Sequence, residues 1–145
     1  MTPTTDTAGE QAARALYATD SASQALGMTL VRAGAGTATV TMTVRPDMTN
    51  GHGIFHGGFI FALADSAFAF ACNSHGAPTV AAGVTVDFLA PARLGEELTA
   101  IAREQWLGGR TGLYDMTVTG ADGQVVALVR GRSHRLGRAA AGPEK

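Results

Sequence analysis

Between Gly57 and Cys72 the chain reads GGFIFALADSAFAFAC, and Asp65 is the only charged residue in that run. A helix that is apolar on nearly every face has no side to give to water and must be surrounded by other elements. The segment is shorter than the roughly 20 residues that a membrane span requires, and it carries a carboxylate near its middle. It is therefore expected to be a buried core helix, with no membrane partner.

The rest of the chain offers material to wrap it. Thr37 to Val44 alternates cleanly, with Ala38, Val40, Met42 and Val44 on one side and threonines on the other, as in a half-buried strand. Further strand-like runs are Met28–Ala33, Thr79–Leu89, Glu97–Leu107, Gly112–Thr119 and Gln124–Leu136. Ala121-Asp122-Gly123 separates the last two, and Asp-Gly is a strong hairpin signal. Glu10 to Ala18 reads as a short helix with Ala12, Ala15 and Leu16 on one side. Asp20 or Ser21 caps another turn that ends at Leu26, with Gly27 as its stop. Arg45-Pro46 opens a loop that runs to His56, and Gly76-Ala77-Pro78 ends the apolar helix near Ser74. The expected class is α+β, an antiparallel sheet of six strands curled around one long helix. Residues 1–9 and 138–145 are polar or small and are expected to be disordered, leaving 10–137 as one domain.

Composition excludes several functions. A length of 145 residues supports one domain with a real core and not comfortably two. The net charge of −1 gives no basic stripe for nucleic acid. One cysteine, Cys72, forms no intramolecular disulfide and gives no sign of an oxidising compartment. The start MTPTTDTAGEQ has neither the basic nor the apolar region of a signal peptide, so a cytoplasmic location is expected.

Asp65 is the first candidate for chemistry. A carboxylate in apolar surroundings either has one neutralising partner or serves as a nucleophile or general base. Gly57 and Gly58 open the helix, where backbone N–H groups lie unpaired at the positive end of the dipole. Glycine lets a ligand come close to that backbone, so the position suits an oxyanion hole, although it is also an ordinary helix start. Gly57 and Asp65 are eight residues apart, about 12 Å along one helix. One carbonyl needs its oxyanion donor and its base each within about 3 Å. Two antiparallel copies of the helix would bring Gly57 of one chain beside Asp65 of the other. A homodimer with shared active sites is the inference.

Other constellations are weaker. His52 and His56 have helical metal spacing but lie in a glycine-rich loop without a third ligand, so no metal site is assigned. Cys72 with His75 reads better as a small buried hydrophobe at a helix end. Ser66 lacks both a neighbouring histidine and the G-x-S-x-G context of a serine hydrolase. Gly51 to Gly58 lacks the ending of a phosphate loop. Arg130, Arg132 and His134 share one face of the last strand and are followed by Arg135. That face is either solvated or able to hold phosphates.

The run N-G-H-x-x-x-H-G-G-x-x-F-x-L-A-D-x-A-F-A-x-A-C-N-S, from Asn50 to Ser74, resembles the hotdog-fold acyl-CoA thioesterases of phenylacetic acid degradation. The match continues through Val86–Pro91, Gly95–Ala100, Thr111–Asp115 and Val126–Arg135, and reaches back to Ala25–Met28 and Thr39–Val44. It covers roughly Glu10 to Gly137.

The resemblance implies a sheet wrapped around a central helix, dimers with shared sites, and a dimer-of-dimers tetramer. It gives the acid role to Asp65, the carbonyl-polarising N–H to Gly57 and supporting roles to His56 and Asn50. Gly58 and Ser66 are expected beside the substrate. Coenzyme A is expected at the turn Gly108, Gly109, Arg110 and Thr111 and at Arg135. The turn reads L-G-G-R-T-G where relatives often show Q-G-K, so the basic residue has moved to Arg110. Some relatives carry a serine early in the third strand to assist the hydrolytic water. This chain has Ala81 and Ala82 there, so that role is either absent or filled by Thr79 or Ser66. The implied substrate is an aryl- or short acyl-CoA of the phenylacetyl, hydroxyphenylacetyl or benzoyl kind. No metal or redox cofactor is needed. A non-catalytic acyl-CoA sensor on the same fold is the alternative, and a hotdog dehydratase a weaker third.

Overall fold

Side-chain alternation decides which face of each strand turns inward. In Thr37–Thr43 (β2), Ala38, Val40 and Met42 are buried while the intervening threonines are exposed or half-exposed, the two-residue period of a strand with one wet face. The computed structural model describes residues 7–137. In chain order the other elements are α1 (Thr7–Ala18), α2 (Ser21–Ala25), β1 (Thr29–Gly34), a 3-10 turn (Pro46–Met48) and α3 (Gly57–Asn73). They are followed by β3 (Thr79–Phe88), β4 (Glu97–Gly108), β5 (Thr111–Thr119) and β6 (Val125–Arg135). The strands form one six-stranded sheet in the order β1-β2-β4-β5-β6-β3, antiparallel throughout. The curled sheet expected around one apolar helix is what the chain builds.

α3 touches every strand of that sheet. Ile60, Leu63, Ala64, Ala67, Phe68 and Phe70 are among its buried residues. Full burial of each large apolar side chain is worth about 1.5–3 kcal/mol, so this helix carries much of the stability. Phe68 stacks at a tilt on Tyr114 of β5, with ring centroids 5.4 Å apart. Gly131 of β6 makes room for it, because a Cβ there would lie 2.5 Å from Phe68 Cε2. At the far end of α3, the buried Ser74 Oγ accepts from Gly36 N and donates to Ala71 O, both at 2.7 Å. That hydroxyl ties the β1–β2 turn to the helix terminus.

Several details depart from expectation. α1 begins at Thr7, so residues 7–9 are helical rather than disordered; the disorder expected at 1–6 and 138–145 lies outside the described residues. α1 buries Ala13, with Leu16 and Tyr17 packed against the core, whereas Ala15 is exposed. Tyr17 fixes that rotation, since its ring meets Phe70 edge-on at 5.8 Å and its hydroxyl donates to Met28 O at 2.7 Å.

The two sheet edges differ. α1 lies along β1, where Arg14 donates to the carbonyls of Leu30 and Val31. β3 pairs with β6 on one side and, among the described residues, with no strand on the other. It is exposed along most of its length, including Val80, Val84 and Phe88.

Candidate active site

The loop before α3 is built to present the first turn of that helix. Asn50 Oδ1 accepts from His52 N at 2.9 Å and from Ile54 N at 3.3 Å, while Asn50 N donates to Ile54 O at 2.8 Å. The carboxamide oxygen is thereby used in the turn, and the carboxamide NH2 has no partner among the described residues. His56 caps the helix: its Nδ1 accepts from Gly58 N at 3.0 Å. An accepting Nδ1 puts the ring proton on Nε2. Phe59 N and Ile60 N both donate to His56 O.

Of the four N–H groups that open α3, only that of Gly57 is left without a partner among the described residues. It opens on a cavity of about 420 Å³ shared with Asn50, Ile60, Phe88 and Leu89. Gly57 and Asn50 thus bring to one cavity a backbone N–H at the positive end of a long helix and a carboxamide NH2, both donors of the kind that suits a developing oxyanion.

Asp65 lies two turns further along. It is half-buried and makes no hydrogen bond or ion pair among the described residues. Burial raises its carboxyl above the usual range, and the charge of Asp20 raises it further. It lines a second cavity, of about 430 Å³, with Asp20, Leu16, Phe68, Thr79 and Ala81. Asp65 and Gly57 therefore face different cavities within one chain. Thr79 is held there by Asn73, whose Oδ1 accepts from Thr79 N at 3.0 Å and whose Nδ2 donates to Thr79 O at 2.9 Å.

Ser66 does not line the Asp65 cavity; its hydroxyl meets Ser23 Oγ at 2.7 Å, and Ser23 in turn donates to Asp20 Oδ2 at 2.7 Å. Gly109, Arg110 and Arg135 come together around a small cavity of about 90 Å³ with His75 and Ser133. Gly108 and Thr111 are register partners at the β4–β5 turn but do not line it. Arg130 is committed to Asp115 through two bonds of 2.7 and 2.9 Å, which hold the Asp115 carboxyl below its usual range. Arg132 and His134 face outward and exposed. Cys72 is buried, and its thiol is pushed up to about 12, so it is inert. Among the described residues no group of His, Cys, Asp and Glu side chains could hold a metal ion, and no helix is long and apolar enough to cross a membrane.

A family model described as "Thioesterase superfamily" matches residues 52–127, which include both the Gly57 turn and Asp65. The acyl-coenzyme A thioesterase PaaI of Escherichia coli (strain K12) is 47% identical over 127 residues, 88% of this chain and 91% of that protein. The chain belongs to the thioesterase superfamily. The solved structure of the E. coli PaaI protein from the phenylacetic acid degradation operon superposes with a TM-score of 0.91 at 44% identity, covering 94% of this chain and 99% of that one. A mutant form of the phenylacetic acid degradation protein PaaI from Thermus thermophilus matches with a TM-score of 0.78 at 41% identity, over 81% of this chain and 100% of that one. The resemblance read from Asn50–Ser74 to hotdog thioesterases of the phenylacetic acid degradation type is thus borne out, as is the hotdog fold. As a member of this superfamily the enzyme is a thioester hydrolase.

Proposed function

We propose that this thioesterase hydrolyses an aryl- or short acyl-CoA, of the phenylacetyl, hydroxyphenylacetyl or benzoyl kind, to the free acid and coenzyme A. The observation that carries the reading is the presence on one helix of a carboxylate, Asp65, and a first-turn N–H, Gly57, that both lack a partner among the described residues. The similarity to an acyl-coenzyme A thioesterase supplies the substrate class.

In the reaction, Asp65 takes a proton from a water molecule as its oxygen attacks the thioester carbonyl. A carboxylate raised by burial is a better base than one in water. The negative charge that forms on the carbonyl oxygen is met by Gly57 N–H and the Asn50 carboxamide. Collapse of the tetrahedral intermediate breaks the C–S bond, and the thiolate leaves with a proton returned through Asp65. His56 holds the first turn in shape by its bond to Gly58. Thr79, which shares the Asp65 cavity, is better placed than Ser66 to steady the water. Arg110 and Arg135, beside Gly109, supply positive charge for the phosphates of coenzyme A.

The reading includes a homodimer in which Gly57 of one subunit serves Asp65 of the other, and a tetramer of two such dimers. Two facts support the dimer: the separate cavities of Gly57 and Asp65, and the long unpaired edge of β3 with exposed Val80, Val84 and Phe88. An open edge is a template for pairing with another strand. The lone Cys72 supports a cytoplasmic setting.

The test is a panel of aryl- and short acyl-CoA thioesters scored by thiol release. Turnover of aryl thioesters that is lost in Asp65→Asn supports the reading; binding without turnover across the panel would point to the sensor. One turnover in oxygen-18 water tests the nucleophilic role of Asp65. Label in the Asp65 carboxylate identifies an anhydride opened at Asp65; label in the product acid alone fits the base, or an anhydride opened at its acyl carbon.

A further inference from the structure

We propose that Asp20 is a positioning residue for the reaction, placing a second negative charge on the Asp65 cavity and anchoring Ser66 of the catalytic helix through Ser23. It rests on the reading of Asp65 as the base.

Asp20 is the N-cap of α2. Its Oδ1 accepts from Ser23 N at 3.0 Å and its Oδ2 from Ser23 Oγ at 2.7 Å. Ser23 is buried, and its hydroxyl lies 2.7 Å from Ser66 Oγ. Ser66 follows Asp65 directly on α3, so this chain of three side chains clamps the helix at the step that carries the base. A cap alone needs only the bond to Ser23 N. The second bond and the onward contact to α3 exceed that need.

Asp20 also faces the Asp65 cavity itself. The other titratable group there is Cys72, which stays neutral. α1 contributes Leu16, β3 contributes Thr79, Val80 and Ala81, and the residue after β6 is Leu136, none of them charged. Among the described residues no cation lines this cavity to offset the two carboxylates. Like charges disfavour joint ionisation, and the Asp65 carboxyl is indeed raised by Asp20 after burial. A base so raised binds its proton more firmly when it takes one from water, at the cost of activity on the acid side.

The experiment measures the Asp65 carboxyl in the full chain by carbon-13 NMR titration, alongside the pH profile of kcat/KM, in wild type, Asp20→Asn and Ser23→Ala. Asparagine caps as well as aspartate and keeps the bond to Ser23 N, so Asp20→Asn removes charge with α2 intact. The Asp65 midpoint is expected to fall by about half a pH unit or more, with the acid limb of kcat/KM falling by the same amount. Ser23→Ala keeps the charge and cuts the link to Ser66, so kcat should drop while the midpoint stays. An unmoved midpoint in Asp20→Asn overturns the proposal, and so does an equal shift in both variants, which would reflect loosening of α2. A midpoint that falls while the acid limb stays put leaves the charge coupling standing and removes Asp65 as the base.

Discussion

Gly57 lies beneath the ring of Phe88: a Cβ built on it would meet Phe88 Cζ at 3.2 Å, and both residues line the cavity that holds Asn50. The one N–H of the helix start without a partner among the described residues is therefore reached through a gap that a hydrogen keeps open. Gly57→Ala calls for a shift of a few tenths of an ångström in a half-open ring and should keep much of its activity. Gly57→Val fills the gap and should lower kcat/KM by about 10²-fold or more, the scale of losing an oxyanion donor. Binding of free coenzyme A, measured by calorimetry, should change far less. Equal loss of both would mean that the backbone has no special part in the chemistry.

Asp65→Asn should lower kcat by about 10²-fold or more while the fold persists. Its effect on stability has the opposite sign. Burial, then Asp20, hold the folded-state carboxyl above its unfolded value. The folded state thus binds more protons between the two values, and stability falls as pH rises through that window. Above it the full cost is present, and below the unfolded value it vanishes. Asp65→Asn removes that cost, so its melting temperature should exceed wild type near pH 7 and converge with it near pH 3. A variant that is less stable near pH 7 would show that Asp65 has a stabilising partner.

Much of this was legible in the sequence, and the reasons are physical. α3 stood out because Phe59, Ile60, Phe61 and Leu63 leave no polar face, and Asp65 stood out against them. β2 was legible because threonine alternates with apolar residues on a two-residue period. The rotation of α1 was not, since Ala12, Ala13 and Ala15 offer no contrast in size or polarity, and it is the contacts of Tyr17, Leu16 and Arg14 that set which is buried. Asp20 read as a helix cap and nothing more, because only the packing of α2 on α3 brings it onto the Asp65 cavity. Ser66, expected beside the substrate, turns to Ser23 for the same reason. The supporting role expected of Asn50 came from the motif; its turn-building oxygen, and an NH2 with no partner among the described residues, emerge only from the folded loop.

His56 caps α3 through a single bond to Gly58 N. His56→Ala should cost about 1 kcal/mol of stability, and His56→Asn should recover most of it, because asparagine is a good cap. Urea unfolding measures both. A recovered stability with activity still depressed would give the imidazole a further part in the chemistry, whereas equal stability in all three proteins would remove the cap from the account.

Cys72 is 3% exposed and its thiol is pushed up to about 12 by burial. Iodoacetamide near pH 8 should leave the native enzyme unlabelled and active, and should label it rapidly in denaturant. Rapid native labelling would mean that the Asp65 cavity, which Cys72 also lines, opens far more than its packing suggests.

The central claim is that hydrolysis needs Asp65 of one subunit and Gly57 of another. Asp65→Asn and Gly57→Val proteins, each folded by circular dichroism and each inactive alone, are mixed and allowed to exchange subunits, with a tag on one partner to recover the heterodimers. Half of the dimers formed at random are mixed, and half of the sites in those carry neither lesion. Activity should therefore return to about a quarter of wild type per subunit. Tagged heterodimers that form and stay inactive would show that the two residues act within one chain, and the shared site would be wrong.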